Sequence, residues 1–427
     1  MIYNFTLGIE QARQLDEADP LKDFRRRFYI NEGEIYMDGN SLGLCSKDAE
    51  AAVINMLEVW KTHGINMWAI ENGKYFLYPS FLGGLISKLV GADPDEVTIT
   101  NSTTINIHQC LATFYQPTPE RYKILVDDLN FPTDRHAVDS QVQLHGYSPK
   151  EAVKVVSSTD GRTIDEDALI AAMTDDVAVA LFPTVLYRSA QLLDMEKISA
   201  AARQKGIIIG WDLCHSIGAV PHDLKKAGAD FAVWCNYKHL SAGPGTVAGL
   251  YINRRHFGRR PGLAGWHGNV KDTLFQLNHQ HQQAHDVDGW LTGTPPMLSM
   301  AGIEGVMKIF NDAGLDRIRE KSLKITAYLM YLIDERLARY GYEVGNPRQD
   351  EKRGGHVALE HDEAYRICQA LKSHHVIPDY REPNVIRLAP AALYVSYQDV
   401  HKLVDILEEI AVNKEYEKFE NIRTLVV

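Results

Sequence analysis

Short apolar runs alternate with helical patterns between residues 97 and 255 of this chain. The runs have the length of buried strands and cover residues 97–100, 123–127, 153–156, 177–182, 207–209, 231–234 and 246–252. Because helical patterns separate most of the runs, the chain predicts βαβ units and a doubly wound, mostly parallel sheet. Ligands of such sheets bind beyond the carboxyl ends of the strands. The residues that follow these strands are therefore the first candidates for a functional site.

The C-terminal part of the chain carries a different, α+β pattern. A helical stretch near 298–340 leads into it. The elements that follow are predicted as strands near 356–359 and 385–388 and helices over 362–373 and 397–412. On the other side of the sheet region, residues 47–90 show helical periodicity with an aromatic-rich break.

The chain is long enough for two domains, since it has 427 residues. We expect a large α/β domain at 46–305 and a smaller α+β domain at 306–427. Residues 1–45 are polar and rich in turn signals. We expect this N-terminal segment to pack with the small domain.

Composition narrows the possible partners. The formal net charge of −11 argues against nucleic acid. No apolar run approaches the roughly 20 residues of a membrane span, and the first residues lack the layout of a signal peptide. The five cysteines show no CxxC spacing, which fits free thiols in a reducing compartment. We therefore expect a cytoplasmic protein that binds a small molecule.

Lys238 and Asp212 carry the strongest chemical signal. Lys238 follows the apolar run 231–237, and Asp212 ends the run that begins at residue 207. Burial lowers a lysine pKa, and a partly neutral amine is what Schiff-base chemistry needs. A lysine for the aldehyde and an aspartate for the pyridine nitrogen are the pair that pyridoxal phosphate (PLP) requires. Taken alone, Lys238 could be a surface lysine and Asp212 a helix N-cap, but residues 213–216 start a helix poorly.

Further candidates follow other strands. Thr103 and Thr104 open an apolar helix, where hydroxyls and free amides form a phosphate cup or a simple cap. Phe131 could stack on a flat cofactor and Asp134 could contact it, although the same residues also suit a proline-containing turn. His215 lies three residues after Asp212, where it is either a cofactor contact or part of a turn.

Arg387 lies in a predicted strand of the small domain. Arginine binds a carboxylate through two parallel hydrogen bonds, although many strand arginines form structural ion pairs instead. His281 and His285 have the i, i+4 spacing of metal ligands, but no HExxH motif surrounds them. We therefore expect no metal site there.

Taken together, these segments resemble kynureninase, a family with the aspartate-aminotransferase-like PLP fold. The resemblance runs nearly end to end, and the string WCNYK at 234–238 is its most specific part. The other motifs are 36–43 (YMDGNSLG), 101–106 (NSTTIN), 121–125 (RYKIL), 131–134 (FPTD), 143–146 (QLHG), 212–215 (DLCH), 265–268 (GWHG), 293–296 (GTPP) and 386–390 (IRLAP).

The resemblance implies a role for each candidate in cofactor binding. Lys238 would form the Schiff base, Asp212 would hold the pyridinium nitrogen, and Phe131 would stack on the ring. The remaining cofactor contacts would be Thr103, Thr104, Asp134, His215 and Tyr237. Trp266 and Thr294 would reach the cofactor of a neighbouring subunit, so the resemblance implies an obligatory homodimer.

The resemblance also implies the reaction. Arg387 and Asn40 would bind the substrate, with Arg387 on its α-carboxylate, and Tyr237 would assist Lys238 and Asp212 in catalysis. The expected reaction is the hydrolysis of L-kynurenine, with 3-hydroxykynurenine as a further candidate, to anthranilate and L-alanine. Residues 63–79 and 186–191 depart from the family pattern, which puts the identity of the substrate in doubt. Thr294 resembles the bacterial members and favours unhydroxylated kynurenine.

Three alternatives stay open from sequence alone. An aminotransferase or a β-lyase could use the same scaffold. A cysteine desulfurase needs a loop cysteine after the lysine, yet Cys368, the only one there, lies in an amphipathic helix typical of a core. A catalytically silent PLP-binding protein would have no need of the lysine, aspartate and arginine together.

Overall fold

The computed structural model describes residues 3–422. Its N-terminal segment contains helix α1 (Ile9–Glu17) and the short strand β1 (Ile35–Tyr36). Ala12 and Leu15 are buried on one face of α1. That face packs against the helix at Tyr397–Val412, so the N-terminal segment contacts the C-terminal part of the chain.

A seven-stranded sheet and its helices form the next part of the chain. The strands are β2 (Val97–Ile99), β3 (Lys123–Asp127), β4 (Val153–Val156), β5 (Val177–Pro183), β6 (Ile208–Asp212), β7 (Phe231–Trp234) and β8 (Gly249–Ile252). The helices are α2 (Lys47–His63), α3 (Tyr78–Ile86), α4 (Thr103–Phe114), α5 (Pro132–Leu144), α6 (Pro149–Ala152), α7 (Glu166–Ala171), α8 (Met195–Gln204), α9 (Leu224–Ala227) and α10 (Met297–Ala313).

The strand order of this sheet is β2-β8-β7-β6-β5-β3-β4. All neighbouring strands are parallel except β8, which runs antiparallel to both β2 and β7. The other six strands consequently point the same way, and their carboxyl ends share one edge. Every residue of β2, β7 and β8 is buried, which explains why these strands read as continuous apolar runs. The predicted α/β class with a mostly parallel sheet is confirmed.

A smaller antiparallel sheet lies in the C-terminal part. The elements here are α11 (Leu315–Arg336), β9 (Glu343–Val344), β10 (Val357–Glu360), α12 (Ala364–Ser373), β11 (Val376–Ile377), β12 (Asp379–Arg381), β13 (Val385–Leu388) and α13 (Tyr397–Val412). Four of the strands form a sheet in the order β12-β13-β10-β9. Strand β1 pairs in parallel with β11, with Ile35 opposite Val376. The N-terminal segment therefore adds a strand to the C-terminal part of the chain.

Two predicted elements differ from the structure. The helix expected over 298–340 is two helices, α10 and α11, which are separated by Gly314 at φ +76°. Few residues other than glycine adopt that backbone conformation, so the helix ends there. The strand expected from residue 246 begins at Gly249, where an added Cβ would lie 2.0 Å from the Trp234 ring. Close packing between β7 and β8 therefore requires glycine at this position.

Within residues 3–422, no helix combines the length and the apolar character needed to cross a membrane.

Candidate active site

The carboxyl edge of the large sheet opens into a cavity of about 430 Å³. Strands β6 and β7 and the segments after β2 and β3 supply its floor, as the rule for doubly wound sheets predicts. The N-terminal segment and β13 of the small sheet supply the opposite wall. Of the residues predicted from sequence, the cavity is lined by Asn40, Thr103, Thr104, Phe131, Asp212, His215, Tyr237, Lys238 and Arg387.

Lys238 lines this cavity beside His215. Its Nζ is 2.9 Å from Nε2 of His215 and 5.7 Å from the centre of the Phe131 ring. Burial, together with the Lys238 and Arg387 cations, holds the pKa of His215 well below its usual value. His215 is therefore neutral at physiological pH and can accept a hydrogen bond from the amine.

The Asp212 carboxylate lies at the end of β6 and is 5% exposed. Its Oδ1 accepts a 2.7 Å hydrogen bond from the Cys214 amide. Burial raises the pKa of Asp212, while Cys214 and Lys238 act in the opposite direction. No helix starts at Asp212, because the next one begins at Leu224, so the alternative role as a helix N-cap is excluded. A cationic ligand nitrogen would offset the cost of burying this carboxylate.

The first turn of α4 forms one end of the cavity. Thr103 opens the helix, and its N-cap Ser102 accepts a hydrogen bond from the Ile105 amide. The Thr104 hydroxyl lies 2.7 Å from that of Thr133. The first amides of a helix lack partners within the helix, and the helix dipole favours an anion at this end. This geometry suits a phosphate group.

Arg387 forms the opposite end of the cavity. It is 1% exposed and forms an ion pair with Asp379. Its Nη1 donates to the Tyr187 carbonyl and its Nη2 to the Ser41 hydroxyl, each over 2.9 Å. The guanidinium is therefore fixed, with one edge toward the cavity.

Tyr237 and Asp134 differ in their access to the cavity. Tyr237 lines it, and burial raises the pKa of its hydroxyl, with the Cys235 and Cys214 thiols adding to the effect. Asp134 is 1% exposed and lies behind the wall, where its Oδ2 accepts a 2.7 Å hydrogen bond from Asn130. A ligand contact by Asp134 stays a prediction.

Trp266 and Thr294 lie away from the cavity of their own chain. Trp266 is 38% exposed, packs edge-on against Phe275 and donates from Nε1 to the Leu274 carbonyl over 3.2 Å. Thr294 borders a separate apolar cleft with Trp60. Their predicted contact with the cofactor of a neighbouring subunit stays a prediction.

Several lining residues were not predicted from the sequence. They are Ser41, Asn101, Ser102, Thr133, Cys214, Cys235, Gly245, Thr246, Ala248 and Arg381. Most of them lie inside or next to a predicted motif, so proximity along the chain was the signal that could have found them. Arg381 had no such signal, because only the pairing of β12 with β13 brings it to the site.

Comparison with known proteins agrees with this geometry. Residues 318–407 match the family model described as "Kynureninase C-terminal domain". The kynureninase of Geobacillus thermodenitrificans is 50% identical over 98% of this chain and 98% of its own length. That of Bacillus cereus is 52% identical over 98% of this chain and 97% of its own. The chain belongs to the kynureninase family. The family resemblance inferred from the sequence motifs is therefore confirmed.

Solved structures similar to this kynureninase-family chain share its fold at low sequence identity. A cysteine desulfurase from Thermococcus onnurineus has a TM-score of 0.77 at 17% identity and covers 92% of this chain and 98% of its own. The cystine C–S lyase C-DES, in complex with cysteine persulfide, has a TM-score of 0.76 at 17% identity and covers 88% and 98%. These similarities confirm the fold class predicted for this member of the kynureninase family.

Proposed function

We propose that this chain hydrolyses L-kynurenine to anthranilate and L-alanine with PLP as cofactor, as a step of tryptophan breakdown. One observation carries the proposal in this family context: Lys238, Asp212 and Arg387, which come from separate segments, line the same cavity. An amine for the cofactor aldehyde, a carboxylate for its nitrogen and a guanidinium for the substrate carboxylate are what the reaction needs.

The residues of the cavity fit PLP. The first turn of α4, with Thr103 and Thr104, suits the phosphate, and Asp212 suits the pyridinium nitrogen. The Phe131 ring is 40% exposed at the cavity wall and available for stacking on a flat heterocycle. Among residues 3–422, Nδ1 of His215 and both polar side-chain atoms of Asn40 are buried without a hydrogen-bond partner. Such buried groups are expected to gain partners from a polar ligand.

When bound, PLP supplies an electron sink for a substrate carbanion. Arg387 binds the substrate α-carboxylate, and Asp212 stabilises the positive charge on the ring nitrogen. Lys238 removes the proton from the α-carbon, because its amine lines the same cavity as these two groups. The neutral His215 accepts a hydrogen bond from this amine and keeps it oriented toward the cavity.

Tyr237 is the candidate for proton handling at the γ-carbonyl, where water adds and the Cβ–Cγ bond then breaks. Its raised pKa keeps the hydroxyl protonated, so it acts as a donor. Positioned acid–base groups contribute about 10²- to 10⁴-fold to a rate. The fragment that contains the γ-carbon leaves as anthranilate.

The active enzyme is proposed to be a homodimer with shared sites. Exposed apolar side chains lie along α2 and the turn after it, including Ile54, Trp60 and Ile65 at 52%, 56% and 78% exposure. Thr294 borders the same region. A contiguous exposed apolar surface marks a protein interface. A second copy that covers it would bring its own Thr294 and Trp266 toward the neighbouring cavity.

A cytoplasmic location is part of the proposal. All five cysteines are free thiols, and four of them are buried. Free thiols persist in a reducing compartment.

The remaining rivals are other PLP enzymes. Cys368 is fully buried in α12, as predicted, so it does not supply the mobile thiol of a desulfurase. An aminotransferase would leave pyridoxamine phosphate after incubation with an amino acid alone. A silent PLP-binding protein would turn over none of the kynurenines.

The direct test is to incubate purified protein with PLP and L-kynurenine and follow anthranilate fluorescence. The expected result is anthranilate and L-alanine in equal amounts from L-kynurenine, with slower release of 3-hydroxyanthranilate from 3-hydroxykynurenine. Anthranilate absent at all protein and cofactor concentrations would refute the proposed reaction.

A further inference from the structure

The Arg387 guanidinium is held on three of its sides. Nε donates to Oδ2 of Asp379 over 2.5 Å, and Nη2 contacts the same oxygen. Nη2 also donates to the Ser41 hydroxyl, and Nη1 donates to the Tyr187 carbonyl. Arginine has five N–H donors. These contacts engage four of them and leave one N–H on Nη1 without a partner in this arrangement.

Asp379 and Arg387 face each other because of strand register. Strand β12 pairs antiparallel with β13, and Asp379 lies directly opposite Arg387. Side chains at directly opposed positions of an antiparallel pair lie close together on the same face. Two residues along β12, Arg381 donates to the same carboxylate oxygen over 3.2 Å. The carboxylate is thus fixed on the sheet before any ligand binds.

Asp379 acts from behind the cavity wall. Arg387, Ser41 and Arg381 line the cavity, whereas Asp379 does not. Burial lowers the pKa of Arg387, and Asp379 is the largest influence in the opposite direction. A ligand carboxylate would therefore approach the Nη1 and Nη2 edge, where the remaining N–H and the Ser41 hydroxyl lie, and would not contact Asp379.

We propose that Asp379 is a positioning residue for substrate binding: it fixes the Arg387 guanidinium so that its Nη1–Nη2 edge receives the substrate carboxylate beside Ser41. The identity of that carboxylate as part of a kynurenine rests on the proposed function, but the positioning role extends to any α-amino acid that enters the cavity. An arginine freed from this contact would rotate about its flexible side chain. Loss of orientation weakens binding to a planar guanidinium as well as loss of charge does.

Electrostatics alone would predict that the loss of Asp379 tightens the binding of the substrate carboxylate. Asp379 partly neutralises Arg387, so its removal would strengthen the attraction for an anionic ligand if charge dominated. Asp38 is a second carboxylate near Arg387, and Arg381 adds a positive charge. Because these charges nearly balance, orientation should decide the outcome.

The test compares two ligands on the PLP-loaded enzyme, L-alanine and ethylamine, which differ by the carboxylate. Binding is followed through the change in cofactor absorbance. Asp379→Asn should raise the Kd of L-alanine at least tenfold and that of ethylamine less than twofold. With L-kynurenine, KM should rise while kcat changes less than threefold.

Matched variants keep the test decisive. Asp334→Asn removes the carboxylate of a surface pair with Arg348 and should alter neither Kd. Ser41→Ala removes a partner of the same guanidinium without touching the ion pair, and should weaken L-alanine binding selectively but by a smaller factor. If Asp379→Asn fails to fold, Asp379→Glu decides, because it keeps the charge and moves the carboxylate: selective weakening of L-alanine binding supports the positioning role, and unchanged binding overturns it.

Tighter or unchanged L-alanine binding in Asp379→Asn would overturn the positioning role, and so would equal weakening for both ligands. These measurements do not need kynurenine turnover. Failure of the wild-type enzyme to release anthranilate would therefore reject the proposed reaction only. The titrations with L-alanine and ethylamine would still test the role of Asp379.

Discussion

The Lys238 amine and the His215 imidazole form a direct 2.9 Å hydrogen bond. When the Lys238 ammonium donates in this contact, Nε2 of His215 is the acceptor. Burial keeps the imidazole neutral. Lys238 and His215 therefore lie side by side in the lining of the cavity, where the amine is accessible to a cofactor aldehyde.

Lys238→Ala should lose nearly all turnover. Within the described part of the chain, Lys238 is the only lysine that lines the cavity. After borohydride reduction of the wild type, mass spectrometry of the digest should find a pyridoxyl group on the peptide that contains residue 238. Lys226→Ala is the control, since Lys226 is paired with Glu196 on the surface. Normal turnover in Lys238→Ala would refute the assignment.

Asp212→Asn should weaken PLP binding and slow turnover together. The substitution keeps an oxygen for the Cys214 amide but removes the charge that pairs with the ring nitrogen. A hydrogen bond to a charged group contributes about 1.5–3 kcal/mol, so cofactor affinity should fall roughly 10- to 100-fold. Equilibrium titration of the apoenzyme with PLP measures this directly. An unchanged affinity would mean that the ring nitrogen lies elsewhere.

The pH dependence of stability should reveal the buried carboxyl of Asp127. Burial raises its pKa from 3.8 to about 7, while its Oδ1 accepts a hydrogen bond from the Leu129 amide. Between pH 3.8 and about pH 7, the Asp127 carboxyl therefore keeps its proton in the folded protein but has lost it in the unfolded chain. The contribution of Asp127 to the free energy of unfolding is fully present below the unfolded pKa. It is lost as the pH rises through the folded pKa, by up to about 4 kcal/mol.

Asp127→Asn removes this dependence, because an amide does not titrate. The unfolding temperature of the variant, relative to the wild type, should rise between pH 4 and about pH 7 and level off above that pH. Differential scanning fluorimetry across that range checks the trend. A constant difference between the two proteins at every pH would show that Asp127 is ionised in the folded state.

Mixing two inactive variants should restore activity if sites are shared between subunits. In a mixed dimer of Lys238→Ala and Trp266→Ala, one site combines the intact Lys238 of one subunit with the intact Trp266 of the other. After random reassembly, about half of the dimers are mixed, and each mixed dimer has one intact site out of two. The expected activity is therefore about a quarter of that of the wild type. Anthranilate fluorescence before and after subunit exchange measures the recovery. No recovery despite demonstrated exchange would place each site within a single subunit.

Sequence patterns predicted the sheet and the cavity floor well for a physical reason. Asp212, Lys238 and Thr103 directly follow strands, and parallel strands bring their carboxyl ends together whatever the details of packing. The contacts of Arg387 with Asp379 and Ser41 were not predicted, because they depend on strand register and on a return of the N-terminal segment. The break at Gly314 was missed because a glycine within an apolar periodic pattern does not by itself show a positive φ.

Ser41 and Arg387 touch across a separation of 346 residues. Ser41 is therefore translated long before the strand that carries Arg387. The arginine end of the cavity is completed only after residues 385–388 have been translated, later than the segments that carry Asp212 and Lys238.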